Sequence, residues 1–264
     1  GLMKPIEKMS TAIKKRIRYI LADIDDTLTL NGRLPAAVFG AMERLQTAAI
    51  RMIPITGRPA GWCDHIARMW PIDGVVGENG AFYFRYDEQT KKMFRQYWKS
   101  ETERKADKIR LEKVKRVILD KVPGCRVSAD QAYREADLAI DFCEDVVPLP
   151  FSDVEKIVTC FKKAGAQAKV SSIHVNGWFG DYNKLSMTGR MFKDAFTADL
   201  EKIRGRILFT GDSPNDAPMF AFFHNSVGVA NIRRFEGNIE HEPAWVTKSE
   251  GGYGFAEMVD VLLS

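Results

Sequence analysis

The sequence has no C-x-x-C pair and no cluster of histidines. Its four cysteines (Cys63, Cys125, Cys143 and Cys160) and four histidines are scattered along 264 residues. That distribution excludes a zinc module or a dithiol redox motif and predicts free thiols, with a Cys125–Cys143 bridge the one pairing left open. Long apolar runs are missing too. The longest stretch without Asp, Glu, Lys or Arg, Ala217 to Ile232, includes Pro218, His224, Asn225 and Asn231 and falls short of the ~18 apolar residues of a membrane span. Asp23, Asp25 and Asp26 follow too soon on the apolar residues Tyr19 to Ala22 for a signal peptide, so the expected location is cytoplasmic and no membrane partner is expected. Charge imbalance is small: 39 basic against 35 acidic residues leave +4, which suits an anionic substrate but does not mark a nucleic-acid binder. The basic run Lys14 to Arg18 reads as a solvated strand entry. Gly251 to Gly254 lacks the lysine and hydroxyl spacing of a nucleotide loop.

What is present is an ordinary globular composition, 45% apolar and 28% charged, in a chain long enough for a core plus a smaller domain. Two textures alternate. Apolar strands at Ile17–Ala22, Ile50–Ile55, Val75–Val76, Ile207–Thr210, Val227–Ala230 and Ala244–Thr247 are separated by helical patterns near 35–49, 59–70 and 214 onward, with a closing helix after Gly252. Strands alternating with helices predict a doubly wound α/β parallel sheet. The middle differs. Ser100/Glu103 and Ser152/Glu155 read as capping boxes before helices with apolar stripes, Leu111/Val114/Ile118/Val122 and Val154/Ile157/Val158/Phe161. Leu138, Ile140 and Phe142 alternate with polar or small residues, predicting a half-buried strand, and two short strands are expected near Val170 and Val175. An α+β insert over 85–178 is therefore expected inside a core of 1–84 and 179–264. Its halves are too dissimilar to form a repeat.

The acidic residues fall where strands end. Asp23, Asp25 and Asp26 follow the first strand, and Asp212 and Asp216 flank Asn215 after a later one. In an open parallel sheet the carboxyl ends of the strands border one crevice. Two carboxylates ~4 Å apart repel by about 4 kcal/mol at an effective dielectric of 20. Such a cluster calls for a cation, and all-oxygen ligands suit Mg²⁺. Thr56-Gly57 ends the second strand at a helix start. By itself Thr56 reads as a strand-end threonine, and the alternative is an anion seat. Lys184, where the core resumes, reads as a surface lysine or as one returned to the crevice. Trp178 marks the hinge or simply fills it.

Together, Asp23-Ile24-Asp25-Asp26-Thr27, Thr56, Lys184 and Gly211-Asp212-Ser213-Pro214-Asn215-Asp216 resemble the four ordered motifs of haloacid dehalogenase superfamily phosphatases. Thr56-Gly57-Arg58-Pro59, Glu78-Asn79-Gly80-Ala81 and the position of the insert resemble the subfamily with a type-IIB cap, which includes sucrose-phosphate and trehalose-phosphate phosphatases. One departure is Asp26, where capped relatives often carry glycine. The resemblance implies a Rossmann-like core and a cap that closes over it. It also implies Mg²⁺-dependent hydrolysis of a small phosphate ester, with sugar phosphates favoured, through an aspartyl-phosphate on Asp23. Asp25 would be the general acid and base. Asp23, the Asp25 carbonyl, Asp212 and Asp216 would hold the metal, while Thr56, Gly57, Lys184 and Asn215 would hold phosphate and the Asp212 loop. Arg58, Asn79, Arg134, Ser172, His174 and Asn176 are candidates for substrate recognition. A sugar phosphomutase of the same superfamily and a phospho-receiver module are the alternative readings, and the long insert argues against the second.

Overall fold

The computed structural model describes residues 3–264. Six parallel strands form the main sheet in the order β1-β13-β12-β11-β2-β3. Its first half comprises β1 (Lys4–Pro5), α1 (Thr11–Arg16), β2 (Tyr19–Ala22), α2 (Ala36–Thr47), β3 (Arg51–Pro54) and α3 (Ala60–Met69). The expected strand entry at Lys14–Arg18 is instead largely helix. Ser10 accepts a hydrogen bond from Ile13 N and starts α1 there, which places Lys14, Lys15 and Arg16 in its last turn, where cations suit the helix dipole.

The next elements are β4 (Val75–Gly77), β5 (Phe82–Asp87) and β6 (Lys92–Tyr97). Val75 and Val76 form the expected strand, but among the described residues β4 joins the main sheet only through one parallel bridge, Ile55 to Val76. Its regular partner is β5, antiparallel, followed by β6 in a separate three-stranded sheet. Phe82 and Phe84 of β5 are buried in the same cluster as Val38 of α2 and Ile66 of α3, so this hairpin packs on the core. Position 84/85, where the insert was expected to begin, lies within β5.

The insert then runs through α4 (Glu101–Lys121), β7 (Arg126–Val127), β8 (Leu138–Asp141), α5 (Phe151–Lys163), β9 (Gln167–Val170) and β10 (His174–Trp178). Its antiparallel sheet has the order β7-β8-β10-β9. Leu111, Val114 and Ile118 of α4 join Val154, Ile157 and Phe161 of α5 against Leu138, Ile140 and Val175, a cluster separate from the core. The Ser100–Glu103 capping box forms as expected. The Ser152–Glu155 box does not, because Pro150 occupies the N-cap and the helix begins at Phe151, which places Ser152 inside it. All four residues of β8 are buried, not half of them. The second face of this sheet is turned toward the core, and there His174 pairs with Asp141, and Asn176 with Ala139 and Lys169.

The chain returns to the core with α6 (Lys184–Phe196), β11 (Ile207–Gly211), α7 (Ala217–Phe222), β12 (Ser226–Gly228), β13 (Trp245–Val246) and α8 (Gly251–Leu262). The central strands alternate strictly between two layers. Ile20, Met52 and Leu208 face α2, α3 and α8, whereas Leu21, Ile53 and Phe209 face α6 and α7. Burying each such side chain stabilises by about 1.5–3 kcal/mol, so register is tightly specified and the strand ends stay aligned. All four cysteines are free. Among the described residues no helix is long and apolar enough to cross a membrane.

Candidate active site

The carboxyl ends of β2, β3 and β11 lie side by side, because β11 and β2 pair from Ile207↔Tyr19 to Thr210↔Ala22 and β2 and β3 from Tyr19↔Arg51 to Ala22↔Pro54. Asp23 is the first residue past β2, and its amide donates to Thr210 O at 3.2 Å. The turn that follows places Asp26 at φ 62°, a left-handed conformation that glycine adopts freely and aspartate tolerates. That accounts for an aspartate at a position where glycine is usual. Asn231 Nδ2 donates to the Asp26 carbonyl at 2.9 Å and holds the turn. Thr27 Oγ1 donates to Asp212 Oδ1 at 3.2 Å, tying together two turns 185 residues apart.

Asp23, Asp212 and Asp216 each offer a carboxylate oxygen within 4.8 Å of the others, and all three residues are buried. Burial pushes the Asp23 carboxyl up to about 7; Lys184 opposes that rise, and the charges of Asp216 and Asp25 add to it. Asp212 is raised well above the usual carboxylate range by burial and then by Asp216 and Asp23. Asp216 is raised as well, chiefly by burial, with Lys184 opposing. Its Oδ2 accepts from the amides of Asp212 and Ser213, which fixes the loop. Asn215 Oδ1 is buried and, among the described residues, has no hydrogen-bond partner. Three converging hard oxygen donors that repel one another, beside an unpartnered acceptor, fit a small divalent cation with its waters.

Lys184 opens α6, and Asn183 and Ser186 make a reciprocal cap there. Gly80, at φ +107°, lies so close that a Cβ would sit 2.1 Å from Asn183 O. Only glycine lets the 78–80 turn press on this helix start. Lys184 Nζ thereby comes to 3.6 Å from Asp23 Oδ1. Thr56 Oγ1 accepts from Arg58 N at 2.9 Å, leaving the hydroxyl proton free to donate, and Gly57 lines the crevice.

The insert closes the crevice. The space bounded by Asp23, Asp25, Gly57, Lys184, His174 and Asn176 measures about 20 Å³, enough for one water. Arg58 spans the gap. Its Nη2 and Nε donate to Asp25 at 2.8 and 2.9 Å, its Nη1 to Asp130 at 3.0 Å, and its Nη2 also to Glu144 at 2.6 Å. Glu144 also pairs with His174 Nε2 at 3.0 Å. Burial alone would raise Glu144, but His174 and Arg58 outweigh it and hold the carboxyl down at about 2.

Of the recognition candidates, Arg58, Asn79, Ser172, His174 and Asn176 line the crevice, and Arg134 does not. The Arg134 side chain is fully enclosed and gives all its contacts to Asp130, Asp137 and the Gly57 carbonyl, clamping insert to core. Asn79 and Asn176 both donate to Asp137 Oδ2, at 3.2 and 3.1 Å. Trp178 Nε1 donates to Tyr182 O at 3.1 Å, so this residue is a packed strut where the chain re-enters the core.

The roles of three residues escaped the sequence reading. Glu78, at φ 42° and buried, accepts from the amides of Ala60, Glu135, Ala136 and Asp137, joining the start of α3 to the insert. Glu144 and Lys169 line or border the crevice from the insert. Glu78 opens the Glu78-Asn79-Gly80-Ala81 segment, which was the one available signal for its role; Glu144 and Lys169 sit in no local motif.

No protein-family model and no curated protein matches the chain. Solved structures do match it. A protein of Thermoplasma acidophilum is similar at 17% identity and TM-score 0.69, over 94% of this chain and 98% of that one. The sucrose-phosphatase of Synechocystis sp. PCC6803, solved with sucrose and phosphate, is similar at 14% identity and TM-score 0.61, over 92% and 97%. A haloacid dehalogenase superfamily sugar phosphatase of subclass IIB is similar at 13% identity and TM-score 0.60, over 92% and 98%. What is shared at these identities is the fold, across core and insert alike.

Proposed function

We propose that this chain, which has the fold of the haloacid dehalogenase-like hydrolases, is a Mg²⁺-dependent phosphatase of small phosphorylated metabolites, sugar phosphates among them. The observation that carries the reading is the convergence of Asp23, Asp212 and Asp216 beside Lys184. Neighbours of the same fold include phosphatases of sugar esters. The catalytic core comprises the segments before and after the insert, and the insert is the cap.

Asp23 is the nucleophile. Its carboxylate attacks phosphorus in line and forms an aspartyl-phosphate, which splits one slow hydrolysis into two easier steps. Lys184 stands beside Asp23 and meets the phosphoryl oxygens as a point charge. The Thr56 hydroxyl and the Gly57 amide take the remaining oxygens. Asp25 protonates the leaving oxygen and then accepts a proton from the attacking water. In the closed arrangement both Asp25 oxygens are engaged by Arg58, so this step requires that pair to open. Asp23, Asp212, Asp216 and the Asp25 carbonyl would hold Mg²⁺, which when bound offsets charge on the phosphoryl oxygens. With room for one water, the closed crevice admits an ester only after the cap swings away, and closure then excludes bulk water.

The reading places the protein in the cytoplasm acting on a small-molecule ester, without nucleic acid or membrane as partner. A phosphate-release screen over sugar, polyol, nucleotide and glycerate phosphates with Mg²⁺ tests it. Release from at least one class is expected, abolished in a folded Asp23→Asn variant. Near-wild-type turnover in that variant, or no release from any class, overturns it. Isomer interconversion without release would favour the phosphomutase.

A further inference from the structure

The cations around the crevice leave one charge over. Arg58 is taken by Asp25, Asp130 and Glu144, and Lys184 sits beside Asp23. His174 is hydrogen-bonded to Glu144. Lys169 of β9 lines the same crevice, and among the described residues it has neither an ion-pair nor a hydrogen-bond partner. β9 is an edge strand, where lysines often serve only to discourage pairing with other chains. Such lysines extend into water. Lys169 is instead half-buried, in register with Asn176, on the face turned toward the core. It borders two further cavities that flank the crevice, of about 530 and 310 Å³. Burial and the nearby Lys184 charge push its pKa below the ordinary lysine value. Asp216 attracts this cation but does not offset burial and the second cation beside it, and an anion placed there would relieve both.

The transferred phosphoryl group belongs to the core side, with Asp23, Thr56 and Lys184. Lys169 comes from the cap side, where the leaving group must lie. We propose that Lys169 reads a second anionic group on the leaving-group part of the substrate, making the preferred substrates acidic phosphate esters: a phosphorylated hydroxy acid or sugar acid, or a bisphosphate. Ser172 and Asn176 share its wall of the crevice and supply polar contacts to hydroxyls of the same group. The proposal rests on the phosphatase reading and narrows its substrate class.

Two matched pairs of esters test it with Mg²⁺ present. 3-Phosphoglycerate and glycerol phosphate differ by a carboxylate in place of a hydroxymethyl group. Fructose 1,6-bisphosphate and fructose 6-phosphate differ by a second phosphate. In at least one pair the wild-type kcat/KM should favour the more acidic member by about 10- to 100-fold, the range of a charge-assisted hydrogen bond. Which pair shows the preference identifies carboxylate or phosphate as the group read. Lys169→Met should bring that ratio close to one, and Lys169→Arg should retain it. Equal wild-type efficiency within both pairs overturns the role of Lys169 and leaves the phosphatase reading standing. A ratio unchanged in Lys169→Met, with both members weakened alike, also overturns it, because Lys169 then serves the phosphoryl group common to all four. Absence of phosphate release from these esters and from the wider screen overturns the phosphatase reading and this proposal with it.

Discussion

Replacing Arg134 with methionine separates a structural clamp from a substrate contact. The enclosed guanidinium donates from Nε and Nη2 to the two oxygens of Asp130 at 3.0 and 3.2 Å, and from Nη1 to Asp137 Oδ1 and Gly57 O, both at 2.8 Å. Methionine fills much of that volume and supplies none of the four bonds. Asp130 keeps Arg58 and the Ser128 hydroxyl. The loss therefore concentrates on Asp137, whose side chain is 0% exposed and which keeps only the Asn79 and Asn176 amides. Removing one partner of a buried ion pair costs about 3–5 kcal/mol, and the surviving bonds point to the lower end, about 3 kcal/mol. In a chain of this size 1 kcal/mol corresponds to roughly 2–4 °C, so Tm should fall by about 6–12 °C. Urea unfolding measures the free-energy change, with the slope checking that the unfolding transition itself is unaltered. Adding Asp137→Asn should restore at least ~1 kcal/mol, because it removes the stranded charge. A loss below about 1 kcal/mol, accompanied by a fall in kcat/KM, would refute the clamp and return Arg134 to the substrate.

Mg²⁺ at about 100 times its Kd should stabilise the protein by about 2.7 kcal/mol in thermal or urea unfolding, and EDTA should reverse this. The gain should grow between about pH 5.5 and 8, because the raised Asp23 and Asp212 carboxyls hold protons that the ion must displace; a pH-independent gain would contradict this. Glu144, held at about 2 in the fold against 4.5 ordinarily, contributes stability that is present above pH ~4.5 and is lost as pH falls toward 2. Glu144→Gln should therefore flatten the acid limb of the stability profile. Glu78 has the opposite sign. Burial, with the Asp137 charge adding to it, raises Glu78 to about 7, so its contribution is present below pH ~4.5 and is lost as pH rises through 7. Glu78→Gln should flatten the neutral limb, and urea midpoints across pH 3–8, roughly, would show both.

The strands and the acidic turns were legible because both signals are local. An apolar run such as Tyr19 to Ala22, followed at once by Asp23, Asp25 and Asp26, has one economical reading: a buried strand ending in a ligand site. The failures have physical causes. Ser152 and Glu155 have the spacing of a cap, but Pro150 sets the helix entry two residues earlier. The alternation in β8 was read as one wet face, although the polar face of a cap strand is buried by the core that it covers. Arg134 read as a candidate for substrate recognition, yet Asp130 and Asp137 flank it at helical spacing, a local signal of its ion-pair partners. Lys169 and Glu144 could not be found in the same way. Their significance depends on which charges are already paired across the crevice, and only the three-dimensional register of β8, β9 and β10 decides that.

The most direct test of the central claim is to trap the covalent intermediate. Acid quenching during turnover with Mg²⁺, followed by borohydride reduction and peptide mapping, converts an aspartyl-phosphate to homoserine. Homoserine is expected at position 23 and nowhere else. Homoserine at another aspartate, or none while quenched protein carries phosphate on a different side chain, would contradict the account.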